Sequence, residues 1–199
     1  MIKINESNLE SGLLVTGINP HSTEARLIRK GVHSVTNHNA MTVHTQKGWH
    51  FAEAVPPAST LSSIAHYEKL INNGYRVRFY KLKTLTRDQQ TFSANYFAAN
   101  LLNLSYPRKW KMLLLILPVY NAIVDRSNYV PSIRLTWCSQ LCKRAFEASD
   151  RNCLLRYDGH RTKLFTPKTF ENRIIEGIFQ DITDTILIDD TIRRPDEFT

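Results

Sequence analysis

The chain has 199 residues, 42% hydrophobic and 22% charged, enough for one domain with its own core and not the profile of a disordered or fibrous polymer. Three cysteines in that length exclude a disulfide scaffold and point to a reducing compartment at synthesis. The net charge of +8 is uneven: the segment from Asp181 to Thr199 holds six acids against Arg193 and Arg194, so the remainder carries +12. A basic body predicts an anionic partner, such as a wall polymer or a phospholipid surface. Nucleic acid is the disfavoured partner, because Lys and Arg are dispersed and no recognition motif accompanies them.

In chain order, the start Met1-Ile2-Lys3-Ile4-Asn5-Glu6 lacks the apolar core and cleavage site of a signal peptide. The expectation is therefore cytoplasmic synthesis, with any export through lysis, a dedicated machine or a phage particle. From Gly31 to Pro57 the pattern predicts a hairpin: a strand from about Asn39 to Val43, a turn at Gln46-Lys47-Gly48, and a strand from Trp49 to Val55. His38 stands at the mouth of the first strand. Glu53 falls in the second among Phe51, Ala52, Ala54 and Val55, where an unpaired carboxylate would be costly, so it needs a partner such as an imidazole. His50 lies three residues earlier and thus on the opposite face of that strand, leaving either Glu53 or His50 to orient His38.

Further on, Tyr75 to Lys83 alternates basic with aromatic residues as a half-exposed strand does. A helix is predicted from about Arg87 to Leu102, with Phe92, Tyr96, Ala99 and Leu102 on its core face. The run from Met112 to Val124 is too short to span a bilayer and breaks at Pro118. It reads as a buried helix or as the wall of an apolar groove, with Arg108, Lys109 and Lys111 placed to meet an anionic headgroup or polymer. Asp181 to Ile188 predicts a late strand or a helix end. The division is one domain over 1–188 and an acidic tail over 189–199.

Cys138 opens a segment in which Leu141, Cys142, Ala145 and Phe146 recur at helical spacing. A thiol on the first turn of a helix meets unpaired N–H groups and the positive end of the dipole, which favour thiolate. The alternative is a buried structural cysteine, the reading given to Cys142 and Cys153. His21, His66 and His160 read as solvated side chains, and His33 and His44 as neighbours of the proposed site. Seven histidines without Cys-x-x-Cys or His-x-x-x-His spacing predict no metal, and no cofactor is expected.

Cysteine, histidine and a polar orienter are the set that nucleophilic acyl transfer requires, here in the order histidine, acid, cysteine. In that order the chain resembles the permuted papain-fold cysteine hydrolases of the YiiX and YaeF type, within the NlpC-like superfamily. The segments that carry the resemblance are an early strand at Ser11 to Thr16, a short helix at Glu24 to Lys30, His38-Asn39-Ala40-Met41, and a strand ending in Glu53-Ala54 before Pro56-Pro57. They continue with Tyr75 to Tyr80, the Leu85-Thr86 helix start, Tyr106, Cys138-Ser139-Gln140-Leu141 and the Thr166-Pro167 turn. The chain departs from the pattern where Asn39-Ala40 replaces a usual glycine and Gln140 a usual glutamate.

The resemblance implies an α+β, circularly permuted papain-like fold. Its small antiparallel sheet, with strands near Leu13, Met41, Phe51 and Val77, would pack on the nucleophile helix. It implies a catalytic set of Cys138, His38 and Glu53, with His50 as the alternative orienter, and Tyr106, Trp137 and Ser139 as substrate-binding residues. The expected activity is hydrolysis of an amide or ester bond in a cell-wall peptide or an acyl lipid. The competing expectation is a non-catalytic binding domain of the same fold that holds an anionic partner.

Overall fold

The computed structural model describes residues 1–105, 137–155 and 165–189. Tyr106, the apolar run from Met112 to Val124 with its flanking basic residues, His160 and the tail from Asp190 lie outside the described residues.

The architecture is α+β, with an antiparallel six-stranded sheet and helices on both faces. The strands are β1 (Ile2–Ile4), β2 (Leu14–Ile18), β3 (His38–Thr45), β4 (Gly48–Val55), β5 (Ala58–Ser63), β6 (Arg76–Leu82), β7 (Phe179–Asp181) and β8 (Leu187–Asp189). The helices are α1 (Thr23–Val32), α2 (Ile64–Asn72), α3 (Arg87–Asn100), α4 (Cys138–Ser149), α5 (Pro167–Ile175) and the single turn α6 (Thr183–Ile186). The main sheet has the order β5-β4-β3-β2-β6-β7, while β1 and β8 form a separate pair in which Ile2 faces Asp189. Asp189, assigned from sequence to the acidic tail, is thus the last residue of a strand.

Side-chain alternation along the strands builds two cores. Leu14, Met41, Val43, Ala52, Ala54 and Leu82 face α3, α4 and α5, where they meet Phe97, Leu141, Cys142, Phe146 and Phe170. Val15, Ala40, Phe51, Val77 and Phe79 face the other way, toward Ile64, Tyr67 and Ile71 of α2 and Ile186 of α6. Phe51 stacks on Tyr67 with ring centroids 3.9 Å apart.

Local signals set the ends of the helices. Thr86 and Gln89 form a capping box at α3, and Thr166 caps α5 with Pro167 in its first turn. Gly12 takes φ +85° before β2, where a Cβ would lie 2.3 Å from the Gln90 carbonyl oxygen, so the position demands glycine for both conformation and space.

The predicted core face of α3 holds only in part, because Tyr96 and Leu102 pack partly buried against the core while Phe92 and Ala99 are exposed. Phe92 is 52% exposed, and the helix turns Gln90, Ser93, Ala94 and Phe97 inward instead. The reason is polar: the Gln90 amide donates to the carbonyls of Leu82 and Leu85, and Ser93 pairs with Ser149 of α4 at 2.6 Å. Hydrogen bonds to partners on other elements let Gln90 and Ser93 share the buried face with Ala94 and Phe97, which turns Phe92 on the opposite side toward solvent.

Candidate active site

The β3–β4 register places Ala40 opposite Glu53, so His38, two residues before Ala40, is the diagonal neighbour of Glu53 on the same face. The His38 Nε2 and Glu53 Oε2 atoms are 2.6 Å apart. Glu53 is nearly buried, and its carboxylate also accepts from the hydroxyl of Tyr67 at 2.7 Å and from that of Ser62. Three donors converge on one carboxylate. Burial alone would raise its pKa, yet the His38 bond and charge, with the Ser62 and Tyr67 hydroxyls, bring it down to about 2. The partner that the buried carboxylate requires is therefore His38. His50 sits three residues earlier in β4, paired across to Val43, with its Nδ1 bonded to the Gly48 carbonyl and the Thr45 hydroxyl.

Cys138 is the first residue of α4, and Trp137 at the N-cap supplies no side-chain cap. The thiol therefore lies where helix N–H groups and the dipole favour an anion. It belongs to the core on the α3/α4 side of the sheet and is 5% exposed. His38, the first residue of β3, pairs with Glu53, and its charge acts on this thiol. With Nε2 committed to Glu53, Nδ1 is the nitrogen left for sulfur.

Burial alone would raise the Cys138 pKa, but the net direction is downward. The His38 charge and contact dominate, followed by the Asn39 backbone N–H and the Ser139 hydroxyl. For His38, burial pulls downward while charge on Tyr75 and Cys138, then the bonds to Cys138 and Glu53, lift it well above 6.5. Tyr75 is itself shifted upward, chiefly by burial, and so is neutral near pH 7. There the lift on His38 comes from Cys138 and Glu53, and the pair tends toward thiolate and imidazolium.

The two remaining residues expected to bind substrate are buried. The Trp137 indole N–H donates to the Phe165 carbonyl at 2.6 Å, and the Gln140 side-chain oxygen accepts from the Phe165 N–H at 3.1 Å. Together they latch the entry to α5 onto the head of α4. Ser139 is fully buried and donates to the Asn39 side-chain oxygen at 2.7 Å.

Sequence reasoning did not find Tyr67, Ser62 or Tyr75. Tyr67 and Ser62 lie in α2 and β5, outside the predicted elements. Tyr75 reaches the site across Gly17, the Cα partner of His38, where a Cβ would meet the phenol oxygen at 2.3 Å. Glycine at 17 provides the room, and no local pattern signals it. A cleft of about 480 Å³ opens beside these groups, lined by His38, Glu53, Ser62, Tyr67, Tyr75 and apolar residues of α1 and α2 including Ile28 and Leu70.

No protein-family model matches the chain, and no curated protein matches it. Among solved structures, the chain is similar to the crystal structure of the metalloprotein YiiX from Escherichia coli O157:H7. The TM-score is 0.52 at 16% identity, over 74% of this chain and 69% of that one. At that identity the likeness is one of fold.

Proposed function

We propose that the protein is a cysteine hydrolase of the permuted papain-like type, cleaving an amide or ester bond through an acyl-enzyme on Cys138. The observation that carries this reading is the His38 ring, tied to Glu53 at 2.6 Å, together with a thiol, at the head of an uncapped helix, whose pKa the His38 charge lowers. The Cys138 thiolate attacks the carbonyl carbon while the Cys138 backbone N–H at the helix N-terminus faces the developing oxyanion. Protonated His38 gives its proton to the leaving nitrogen or oxygen. It then takes one from the water that attacks the thioester, and the acid product leaves with thiolate and imidazolium restored. Glu53 holds the ring in orientation throughout. Substrate ranking follows the resemblance: a cell-wall peptide first and an acyl lipid second. A basic body suits an anionic polymer or membrane surface near either.

YiiX is described as a metalloprotein. Among the described residues no group of three His, Cys, Asp or Glu side chains is placed to hold an ion, and His38 Nε2 already faces Glu53. This donor set does not fit a resident metal, and no step here runs through one.

The burial of Cys138 favours a second reading, a non-catalytic binding domain with an inert thiol. Alkylation of Cys138 by iodoacetamide across a pH series separates the two. The hydrolase reading expects reaction well below pH 8, lost in His38→Ala, and turnover abolished in Cys138→Ser with binding retained. An ordinary thiol midpoint of about 8.5 in the wild type rejects it.

A further inference from the structure

Two reactive side chains that come from positions 38 and 138 must be held at a fixed separation, and each is followed in the chain by a fully buried polar residue. Asn39 follows His38, Ser139 follows Cys138, and the Ser139 hydroxyl donates to the Asn39 side-chain oxygen at 2.7 Å. The contact joins β3 directly to the first turn of α4. The Ser139 oxygen also lies 3.8 Å from the Cys138 sulfur, and the Asn39 backbone N–H favours the thiolate form of that sulfur.

The Asn39 amide nitrogen, fully buried, has no hydrogen-bond partner among the described residues. A half-satisfied amide is a poor filler of a core, and an aliphatic side chain of similar size would avoid the unmet donor. What the amide does supply is the acceptor that Ser139 uses.

We propose that Asn39 and Ser139 are a positioning pair, a cross-strut that sets the Cys138 sulfur against the His38 ring and fixes the orientation of the Ser139 hydroxyl beside that sulfur. The inference rests on the hydrolase reading and deepens it. With its single hydrogen directed to Asn39, the hydroxyl presents a lone pair to the thiol S–H. When the proton passes to His38, the hydroxyl's hydrogen stays with Asn39, and the strut acts on the thiolate by holding the sulfur beside the imidazolium. Rotation of the side chains on either element would disturb both effects, and the strut prevents it. No covalent change occurs at either residue.

The test uses the full chain with Ser139→Ala, Asn39→Leu, the double variant and Ser139→Thr. Iodoacetamide alkylation of Cys138 is followed by intact mass from about pH 4 to pH 9, with a thermal melt of each protein. Each single change should raise the pH midpoint by about one unit, and so slow alkylation by about tenfold at pH values below the wild-type midpoint. The double variant should be no slower than the slower single one, because both remove one contact. Ser139→Thr, which keeps the hydroxyl, should restore the rate to within about twofold of wild type, a rescue that packing alone would not give. If Asn39→Leu does not fold, Ser139→Ala, a loss of one heavy atom, carries the test. Lower melting temperatures with an unchanged midpoint and rate would reduce the contact to a structural joint and overturn the proposal. An ordinary thiol midpoint in the wild type would sink the hydrolase reading and this pair with it, whereas a low midpoint that the variants leave in place sinks the pair alone.

Discussion

Replacing Glu53 by glutamine keeps the shape of the side chain and removes its charge. The Glu53 pKa is held at about 2 against 4.5 for a free carboxyl, despite burial that acts the other way. A gap of that size corresponds to roughly 3 kcal/mol of folding free energy linked to ionisation. Because the folded pKa lies below the unfolded one, this stabilisation is fully present above about pH 4.5 and is lost as the pH falls toward about 2. Glutamine also brings N–H donors into a pocket where His38, Tyr67 and Ser62 already converge on the carboxylate. Glu53→Gln should therefore lose roughly 3 kcal/mol near pH 7, a fall of about 6–12 °C in melting temperature for a domain of this size. The difference from wild type should shrink toward pH 2. Urea titrations at about pH 7, 4 and 2.5 measure both quantities. An equal deficit at all three pH values, or one below about 0.5 kcal/mol at neutral pH, would refute the claim that carboxylate charge stabilises the His38 environment.

Three further outcomes follow from neighbouring geometry. Burial pushes the Cys153 thiol up to about 12 and Cys142 well above its ordinary range, whereas Cys138 is shifted down. Iodoacetamide near pH 7 should thus add a single label, placed on Cys138 by peptide mapping, and prior labelling of Cys142 would contradict that order. Gly17→Ala places a methyl 2.3 Å from the Tyr75 phenol oxygen and should destabilise the fold by about 1–3 kcal/mol, less in a Tyr75→Leu background. Equal losses in both backgrounds, read from denaturant midpoints, would disconnect the two residues. Arg173, 2% exposed, binds the Leu154 carbonyl through Nε and both oxygens of Glu176 through one terminal nitrogen, so Arg173→Lys should cost about 2–4 kcal/mol by chemical denaturation. Wild-type stability would show that the fork geometry is dispensable.

The hairpin that carries His38 and Glu53 was legible because short-range patterns govern it: alternation on both strands, a turn at Gln46-Lys47, and a carboxylate among apolar neighbours. The helix opened by Cys138 was legible in the same way, from apolar spacing that the fold buries as expected. The strand β5 and the helix α2 were not. Ala58–Ser63 has little apolar alternation and follows two prolines, and its place in the sheet comes from β4 alongside it and from Ser59, which ties it to the end of α3 through the Leu101 and Leu104 carbonyls. Phe92 failed as a core marker because Gln90 and Ser93 found partners on β6, the loop after it and α4.

By itself the sequence determined which segments become strands and helices where each one's own periodicity and capping suffice, and it singled out a thiol, an imidazole and a carboxylate for the candidate site. Only the tertiary structure decided that Glu53 rather than His50 meets His38, that Tyr67 and Ser62 share the carboxylate, and that Asn39 and Ser139 lock together. Those contacts depend on strand register and on which face of the sheet each helix covers, properties set by cooperative burial between parts of the chain far apart, which no local window of residues encodes.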